Sequence, residues 1–287
     1  MNSKLSYLSK GSLSLIIFIC WGCQPLPNPN VAENVRDTHF YFVQITDTHF
    51  GDGDHFARVE KIVAEINELP MDIECVVHTG DVVSDNILQD TIVSRGLAIL
   101  EKLSMPIHFV AGNHDILESN LDSTRNQFEQ KIGPLVSVQE YNGVQFIQIF
   151  TEPIAHAYTM DGYDPLAELE SILSNGKRSI VSHHSPSPDD FYRKSMHDSW
   201  DKAGRLKWET LLNKYDVKAV MAGHYHRDEV HWLGDVPLYV SAPVGSWWGR
   251  QATYRLFEYK NGKVGYRTQY ILMDRWENGQ IPTLIWD

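Results

Sequence analysis

The sequence predicts an α/β fold in which buried strands alternate with helices and a second sheet packs on the first. From residue 39 onward, apolar runs of strand length alternate with stretches that carry apolar residues at helical spacing, which is typical of a largely parallel sheet. After Gly223 the pattern changes to short strands between turn residues, which predicts antiparallel strands that form the second sheet. The chain has 287 residues, 43% of them hydrophobic, which suits one large domain or two small ones. No domain boundary is evident after residue 39, so we predict one domain over residues 39–273.

Strands and helices alternate through the first part of this domain. The helix at 55–69 is predicted because Val59, Ile62 and Ile66 recur at the spacing that places them on one helix face. The predicted strands of this part are 39–46, 73–79, 107–110, 144–150, 178–182 and 217–221. The predicted helices are 55–69, 86–103, 121–132, 165–173 and 203–215.

Short strands separated by turns follow toward the C-terminus. The segment Lys260-Asn261-Gly262-Lys263 places an Asn-Gly pair between two alternating runs, which is a strong signal for a β-hairpin. The predicted strands of this part are 229–233, 237–241, 253–259 and 264–270. Residues 274–287 are predicted to be a C-terminal tail.

The composition excludes several classes of protein. The formal net charge is −12 and no run of Lys or Arg stands out, so no nucleic-acid-binding surface is evident. With 8 Trp, 13 Tyr and 11 Phe, the chain is far too aromatic for a disordered protein. Three cysteines cannot build a disulfide framework or a thiolate metal cage, and Cys75, in an apolar run, is expected to be a buried core residue. An acidic globular enzyme remains.

The N-terminal residues 1–23 are predicted to be a signal peptide. Basic residues precede the apolar run 13–20, which is too short to span a bilayer as a mature helix. The small residue before Cys23 resembles a bacterial lipoprotein signal, which implies that Cys23 is lipidated and becomes the mature N-terminus. The alternative is ordinary cleavage to a soluble exported protein. Residues 24–38, rich in Pro and Asn, are predicted to be an extended tether.

The predicted signal peptide indicates the location of the protein in the cell. We expect an exported protein of the bacterial cell envelope that faces the periplasm or the exterior. Its only expected contact with the membrane is the N-terminal lipid anchor. The oligomeric state is left open.

Five short polar motifs each follow a predicted strand. Each motif alone could be a turn or a solvated strand end. Loops at the carboxyl ends of strands in open α/β sheets converge on one edge, so together the five motifs favour a functional site. They are Asp47-Thr48-His49, Gly80-Asp81, Gly112-Asn113-His114-Asp115, His183-His184-Ser185-Pro186 and Gly223-His224-Tyr225-His226.

The residue types in these motifs point to divalent metal ions. Asp, Asn and His without Cys form an oxygen and nitrogen ligand set suited to Zn, Mn, Fe or Co. The patterns Asp-x-His and His-x-His place two side chains on the same side of an extended segment. One carboxylate can bridge two ions about 3.5–4 Å apart, the spacing used to clamp phosphoryl groups. Asp81 is the candidate for this bridge.

The motif series resembles the calcineurin-like metallophosphoesterase superfamily, whose pattern is D-x-H, G-D, G-N-H-[DE], H and G-H-x-H. The resemblance covers roughly residues 39–270. It implies the metallophosphoesterase fold, a four-layer α/β/β/α sandwich of two mixed sheets. It also implies two divalent metal ions and a role for each matching residue. The first ion would be held by Asp47, His49 and His226, the second by Asn113, His184 and His224, with Asp81 bridging both.

Two histidines need a choice. His184 is preferred over His183 as the ligand because the family histidine is followed by one residue and then proline, as in Ser185-Pro186. His114 matches the family histidine that protonates the leaving oxygen, which makes it the candidate catalytic residue.

The activity implied is a metal-dependent phosphoesterase. A water that bridges the two ions would attack a phosphomonoester or a phosphodiester, with His114 as general acid. The substrate would be a phosphorylated small molecule or a phosphoprotein. The alternative is a catalytically inactive metal-binding scaffold of the same fold.

The sequence departs from two related patterns at Ser84. Purple acid phosphatases have a tyrosine there, and protein phosphatases of the calcineurin type have an aspartate that orients the catalytic histidine. Asp85 or Asp115 could replace that aspartate. The departure puts a protein-phosphatase assignment in doubt.

Substrate contacts are expected from two segments near the motifs. Arg193 and His197 lie in the long polar loop 185–205 and could meet a phosphate group, although a solvated surface loop explains them equally well. Trp247, within 246–250, could stack on a base or a sugar, and a packed aromatic corner is the alternative.

Overall fold

Two β-sheets of mixed strand direction account for the strands of the described residues. The computed structural model describes residues 38–193, 197, 200–245 and 251–271. The strands are β1 (His39–Ile45), β2 (Ile73–His78), β3 (Ile107–Phe109), β4 (Val136–Tyr141), β5 (Val144–Ile149), β6 (Ser179–Ser182), β7 (Val217–Ala222), β8 (Glu229–Leu233), β9 (Val236–Val240), β10 (Ala252–Lys260) and β11 (Lys263–Ile271). The helices are α1 (His55–Asn67), α2 (Asp90–Leu100), α3 (Leu121–Lys131), α4 (Glu152–Ala155), α5 (Pro165–Leu173) and α6 (Lys202–Lys214).

Each sheet combines neighbouring parallel strands with antiparallel ones, which lie at one edge of the first sheet and at both edges of the second. The first sheet has the order β11-β10-β1-β2-β3, in which β1, β2 and β3 are parallel. The second sheet has the order β4-β5-β6-β7-β9-β8, in which β5, β6, β7 and β9 are parallel. The edge strands β4 and β8 are antiparallel to their neighbours.

Three apolar clusters separate four layers. One cluster packs the first sheet on helices α1 to α3 and includes Val59 and Phe128. A second lies between the two sheets, where the rings of Phe42 and Phe146 meet edge to face with centroids 5.0 Å apart. The third packs the second sheet on helices α4 to α6 around Trp208. The expected four-layer α/β/β/α sandwich is therefore confirmed.

The expected assignment of the C-terminal strands to a second sheet is wrong for β10 and β11. The hairpin β10–β11 extends the first sheet, because β10 pairs with β1 from His39 to Gln44. Strand β1 is buried along most of its length and needs a hydrogen-bonding neighbour on each side, and β2 supplies only one of them. Strand β9 instead joins the second sheet, parallel to β7.

Two local features also differ from the sequence prediction. The helix expected at 86–103 begins at Asp90, because Asn86 forms a turn in which its side-chain nitrogen donates to Phe50 O at 3.2 Å. Strand β4 was not predicted, and its residues alternate between half-buried and exposed because it is an edge strand. The Asn-Gly hairpin is confirmed, with positive φ of 49° at Asn261 and 81° at Gly262.

Several expectations concern residues outside the described ranges. The predicted signal peptide with Cys23, the predicted tail, and the predicted tether except for Thr38 lie there. Within the described ranges, none of the helices has the length and apolar character needed to cross a membrane. Cys75 is buried between the two sheets, as expected.

The two sheets present their carboxyl ends on the same side. Gln44, buried near the end of β1, donates to Thr79 Oγ1 at 2.9 Å and to Ala222 O at 2.8 Å. Ala222 is the last residue of β7 in the other sheet. This contact joins the strand ends that lead into the polar motifs.

A buried ion pair also links the two sheets. Arg255 of β10 is fully buried, and its Nη2 lies 2.9 Å from Asp228 Oδ1. Asp228 precedes β8, and its carboxylate also accepts hydrogen bonds from Ala242 N at 3.0 Å and from the Tyr270 hydroxyl at 3.2 Å. Removing the carboxylate would leave the buried guanidinium without this ion pair, although the ring of Tyr266 would still lie 4.6 Å from it.

We therefore expect Asp228→Ala to reduce the free energy of unfolding by about 3–5 kcal/mol, measured by urea denaturation. The control is Glu140→Ala, which removes an exposed ion pair with Lys177 and should cost no more than about 1 kcal/mol. The double variant Asp228→Ala/Arg255→Met should recover most of the loss, because no buried charge is left unpaired. Equal losses for Asp228→Ala and Glu140→Ala would contradict this account.

Candidate metal centre

Acidic and histidine side chains from both sheets meet at the carboxyl ends of the parallel strands. Within each of two groups, the atoms that could bind a metal lie within 4.8 Å of one another. The first group consists of Asp47, His49, Asp81 and His226, and the second of Asp81, His184 and His224. Six of the seven predicted ligands are thus brought together, and Asp81 belongs to both groups.

Carboxylate oxygens and ring nitrogens converge within these groups. Asp47 Oδ1 lies 3.1 Å from His226 Nε2 and 3.8 Å from His49 Nε2. Asp81 Oδ2 lies 3.0 Å from His184 Nε2 and 3.7 Å from His49 Nε2. The Nε2 atoms of His49 and His226 are 3.3 Å apart. Such a set of oxygen and nitrogen atoms is what borderline divalent ions prefer.

Two further contacts fit a metal at this position. His184 Nδ1 donates to Thr79 O at 2.7 Å, which fixes the ring with Nε2 facing Asp81. The side-chain oxygen of Asn113 is buried and has no hydrogen-bond partner among the described residues. Buried amide oxygens normally have a partner, and a cation would supply one. The donor set therefore fits divalent metal ions, with Asn113 as the remaining predicted ligand.

The backbone is strained at the proposed ligands. Asp47, His49, Asp81, His224 and His226 all have positive φ, between 44° and 68°. This left-handed conformation is uncommon for residues with a side chain and costs on the order of 1–3 kcal/mol each. Such strain persists only where the surrounding structure holds it, and it clusters at functional sites. The clustering supports a functional role for this edge.

Two motif glycines make room for the ligands. A Cβ atom at Gly112 would collide with the carboxylate of Asp81, and a Cβ atom at Gly80 would collide with the ring of His184. The glycines in these motifs are therefore required by close approach of the ligand side chains.

Burial and charge act in opposite directions on the ionisable groups. Burial would raise the pKa of Asp81, but the charge and hydrogen bond of His184 outweigh it and hold that pKa well below its usual range. Burial would lower the pKa of His184, but Asp81 raises that pKa well above its usual value. The pKa of Asp47 is likewise lowered by His226 and His184 despite burial. Both carboxyl groups are therefore ionised at neutral pH and suited to bind cations.

Two other histidines of the centre are held neutral. Burial lowers the pKa of His49 to about 4, although Asp81 and Asp47 pull it upward. Burial also lowers the pKa of His224 to about 3, and the nearby His184 adds to that effect. The neutral ring is the form that binds metals.

A serine and an aspartate hold the ring of His49. Ser84 Oγ donates to Asp52 Oδ2 at 2.6 Å and lies 3.1 Å from His49 Nδ1. Because the hydroxyl of Ser84 donates its hydrogen bond to Asp52, the serine oxygen can accept one from Nδ1–H of His49. Nε2 of His49 then faces the carboxylates of Asp47 and Asp81. Ser84 departs from the related phosphatase patterns, and its contact with His49 was not predicted from the sequence. Asp52 was missed entirely, since no motif places it.

We expect Ser84→Ala to weaken metal binding by roughly 10–100-fold, because it removes the group that orients a metal-binding ring. Equilibrium dialysis against Mn²⁺ or Zn²⁺ measures the effect. Ser94→Ala, on the exposed face of α2, is the matched control and should leave the affinity unchanged. An affinity equal to that of the control would show that Ser84 does not orient His49.

His114 lies beside the centre with its ring supported by a carboxylate. Its Nδ1 lies 2.8 Å from Asp85 Oδ1, and its backbone N–H donates to Asp81 Oδ1 at 2.9 Å. Burial would lower the pKa of His114, but Asp81 and Asp85 outweigh burial and raise it. Of the two aspartates left open by the sequence, Asp85 contacts His114. Asp115 instead accepts from the backbone, and burial raises its pKa to about 7.

The structure places His183 away from both groups. Its ring packs 5.0 Å from the ring of Trp208 and 5.7 Å from that of Trp200, and Nδ1 lies 3.3 Å from Thr151 Oγ1. It therefore faces the outer core of the second sheet, and His184 is the member of the pair that faces Asp81.

The three predicted substrate contacts differ in their placement. The ring of His197 lies 5.0 Å from that of His224, and its Nδ1 is 3.3 Å from Asp190 Oδ2. Arg193 is exposed, and its backbone N–H donates to Asp190 O at 2.9 Å. Trp247 lies outside the described residues.

A buried glutamate supports the loop of His184 and was missed by the sequence reasoning. Glu152 accepts hydrogen bonds from Ser185 N at 3.2 Å and from Ser185 Oγ at 2.7 Å, and pairs with His156 at 2.9 Å. Burial would raise its pKa, but His156 and His184 lower it to about 2. The signal was available, because Glu152 follows a buried strand as the motif residues do.

Comparisons with known proteins identify a family and relatives for this chain. A family model described as calcineurin-like phosphoesterase matches residues 40–228. A probable cyclic nucleotide phosphodiesterase of Colwellia psychrerythraea is 25% identical over 199 residues, or 65% of this chain and 71% of that protein. A protein of the same description from Psychrobacter sp. is 24% identical over 193 residues, or 62% of this chain and 54% of that protein.

Solved structures share the fold. A dimetal phosphatase from Danio rerio superposes with a TM-score of 0.56 at 14% identity, covering 80% of this chain and 98% of its own. A purple acid phosphatase from yellow lupin superposes with a TM-score of 0.59 at 16% identity, covering 83% of this chain and 53% of its own. The family model extends from the first strand to the loop that carries His224 and His226, and this protein therefore belongs to the calcineurin-like phosphoesterase family.

Proposed function

We propose that this protein hydrolyses phosphoric esters with two divalent metal ions. The observation that carries the proposal is that Asp81 belongs to both groups of candidate ligands, as a carboxylate between two ions must. Asp47, His49 and His226 would hold one ion, and Asn113, His184 and His224 the other. When bound, such ions neutralise charge on phosphoryl oxygens and activate water for attack on phosphorus.

The residues around the ions position the remaining chemistry. Because Asp85 occupies Nδ1 of His114, its Nε2 is the atom that would give a proton to the leaving oxygen. The carboxylate of Asp85, whose Oδ1 lies 2.8 Å from Nδ1, raises the pKa of His114 and so favours the protonated ring. Ser84 and Thr79 fix the rings of His49 and His184, so the two Nε2 atoms are oriented before any ligand binds.

Cyclic nucleotides, which are internal phosphodiesters, are the substrates that we favour. The support is that two relatives, each about a quarter identical, are described as probable cyclic nucleotide phosphodiesterases. The geometry of the centre also suits phosphomonoesters, so both classes enter the test.

The test is an assay of purified protein after removal of metals and reloading with Mn²⁺, Zn²⁺, Fe²⁺ or Co²⁺. Substrates are p-nitrophenyl phosphate, bis(p-nitrophenyl) phosphate and 3′,5′-cyclic AMP. We expect metal-dependent hydrolysis, with cyclic AMP and the diester favoured. Binding of two metal ions per chain without hydrolysis of any ester would instead favour the inactive scaffold.

A further inference from the structure

A fully buried histidine at the end of β2 lies just before the proposed bridging carboxylate. His78 is the last residue of the strand, three residues before Asp81, and none of its surface is exposed. Its ring stacks on that of Phe109 in β3, with the centroids 5.6 Å apart. His78 belongs to neither group of candidate ligands, so the proposed chemistry leaves it without a role. A buried polar ring is costly unless its nitrogen atoms have hydrogen-bond partners.

Both ring nitrogens of His78 make hydrogen bonds, and the partners fix the direction of each one. The backbone N–H of Gly80 donates to Nδ1 at 3.3 Å, so Nδ1 carries the lone pair and Nε2 carries the proton. Nε2–H then donates to Thr48 Oγ1 at 3.0 Å, and the threonine hydroxyl donates to Val82 O at 2.9 Å. Burial lowers the pKa of His78 to about 3, so the ring is neutral, as this arrangement requires. This relay therefore begins and ends on the segment 80–82.

The segment 80–82 also holds the loop that carries two other proposed ligands. Gly80 O accepts from Asp47 N at 2.9 Å. Asp81 O accepts from His49 N at 3.0 Å. The ligands Asp47, His49 and Asp81 have positive φ of 51°, 44° and 55°, a strained conformation that persists only where the surrounding structure holds it. The threonine of the relay lies between the two ligands of the first loop, so the relay ties that loop to the segment 80–82.

We propose that His78 is a positioning residue of the metal centre, which acts through Thr48 to hold the loop 47–49 and the segment 80–82 in the conformation that directs their ligands at the ions. This inference rests on the proposed function, because it concerns the same centre. His78 is not itself a candidate ligand, and its loss would leave every ligand side chain present. The ligands would no longer be held in place before a metal binds, and the metal affinity should fall for that reason.

Two substitutions that keep the shape of the side chain and remove the hydrogen bonds test this role. His78→Phe retains a planar ring, and Thr48→Val replaces only the hydroxyl group. We expect each to weaken Mn²⁺ binding to the purified protein by roughly 10–100-fold, measured by equilibrium dialysis. Thr48→Ser keeps the hydroxyl and should retain the affinity. The matched control is His108→Phe in the neighbouring strand β3, whose ring contacts the Tyr141 hydroxyl at 2.7 Å, and it should bind Mn²⁺ as tightly as the unaltered protein.

A double variant shows whether the two residues act as one unit. If Thr48 transmits the effect of His78, His78→Phe/Thr48→Val should lose no more affinity than the weaker-binding of the two single variants. Proteins loaded with Co²⁺ give a second readout, because the visible absorption of bound Co²⁺ depends on how its ligands are arranged. Both single variants should change that spectrum in the same way, and the control His108→Phe should not change it.

Three results would overturn the positioning role. The first is a His78→Phe variant that unfolds more easily without metal yet binds Mn²⁺ as tightly as the unaltered protein, because the ring is then only structural. The second is a pair of single losses that multiply in the double variant. The third applies should His78→Phe not fold, and it is equal affinity of Thr48→Val and Thr48→Ser.

The same measurements separate this role from the proposed hydrolysis. If the affinity depends on His78 and Thr48 in a protein that hydrolyses no phosphoric ester, the positioning role is upheld and the proposed hydrolase is refuted. An unaltered protein that binds none of Mn²⁺, Zn²⁺ and Co²⁺ would refute both.

Discussion

Asp81→Asn should remove bound metal and phosphoester hydrolysis together. Asp81 is the one carboxylate shared by the two ligand groups, and its Oδ2 lies 3.0 Å from the Nε2 of His184. The amide has nearly the same shape but no negative charge, and one of its two oxygen positions becomes a nitrogen that cannot bind a cation. We expect a loss of metal affinity well beyond the roughly 10–100-fold typical of a group that only orients a ligand.

Metal content by mass spectrometry and hydrolysis of bis(p-nitrophenyl) phosphate measure the two effects in one preparation. Asp235→Asn, the same exchange at an exposed turn position, is the control and should change neither. If Asp81→Asn retained two ions per chain with full activity, the carboxylate could not be the bridge. Circular dichroism shows whether the variant is folded.

His114→Ala should slow hydrolysis by roughly 10²–10⁴ while the metal content stays the same. The side chain of His114 belongs to neither ligand group and is 38% exposed, so its ring can reach a substrate. Asp85→Asn should have the same direction and a smaller effect, because it leaves the ring in place and removes only the carboxylate 2.8 Å from Nδ1. Equal loss of metal in His114→Ala and Asp81→Asn would show that the division of roles is wrong.

The order of substrates distinguishes a proton donor from a merely structural residue. An ester with a poor leaving group, such as a methyl phosphodiester, needs protonation of the leaving oxygen more than a nitrophenyl ester does. His114→Ala should therefore slow the methyl ester more than the nitrophenyl ester. Equal slowing of both would contradict a role as general acid.

Much of the fold could be predicted because each buried strand carries its own apolar run. Strands β1, β2 and β7 were found within about one residue, since local periodicity defines them. The sheet to which β10 belongs could not be predicted in this way. An alternating sequence pattern indicates a strand with a buried face, but it does not say which strand pairs with it. The edge strand β4 was missed for a related reason, as half-exposed residues leave little apolar signal.

The candidate centre was predictable to the extent that its residues follow strands. Asp47, His184 and His226 each come after a strand end, and a shared edge brings them together. Asp52, which acts from a loop, could not be found in the same way, because its contact with Ser84 depends on how that loop folds back. The left-handed backbone at the ligands was equally invisible, since aspartate and histidine occur in many conformations.

Each sheet contributes only part of the ligand set, and that division makes bound metal a reporter of assembly. Asp47, His49 and Asp81 follow strands of the first sheet, whereas His184, His224 and His226 follow strands of the second. A fragment in which only one sheet is folded would contain only part of the proposed ligand set. We expect it to bind metal ions more weakly than the full chain does, even where its circular dichroism shows secondary structure. Metal binding at the proposed centre would therefore require the strand ends of both sheets to be in place.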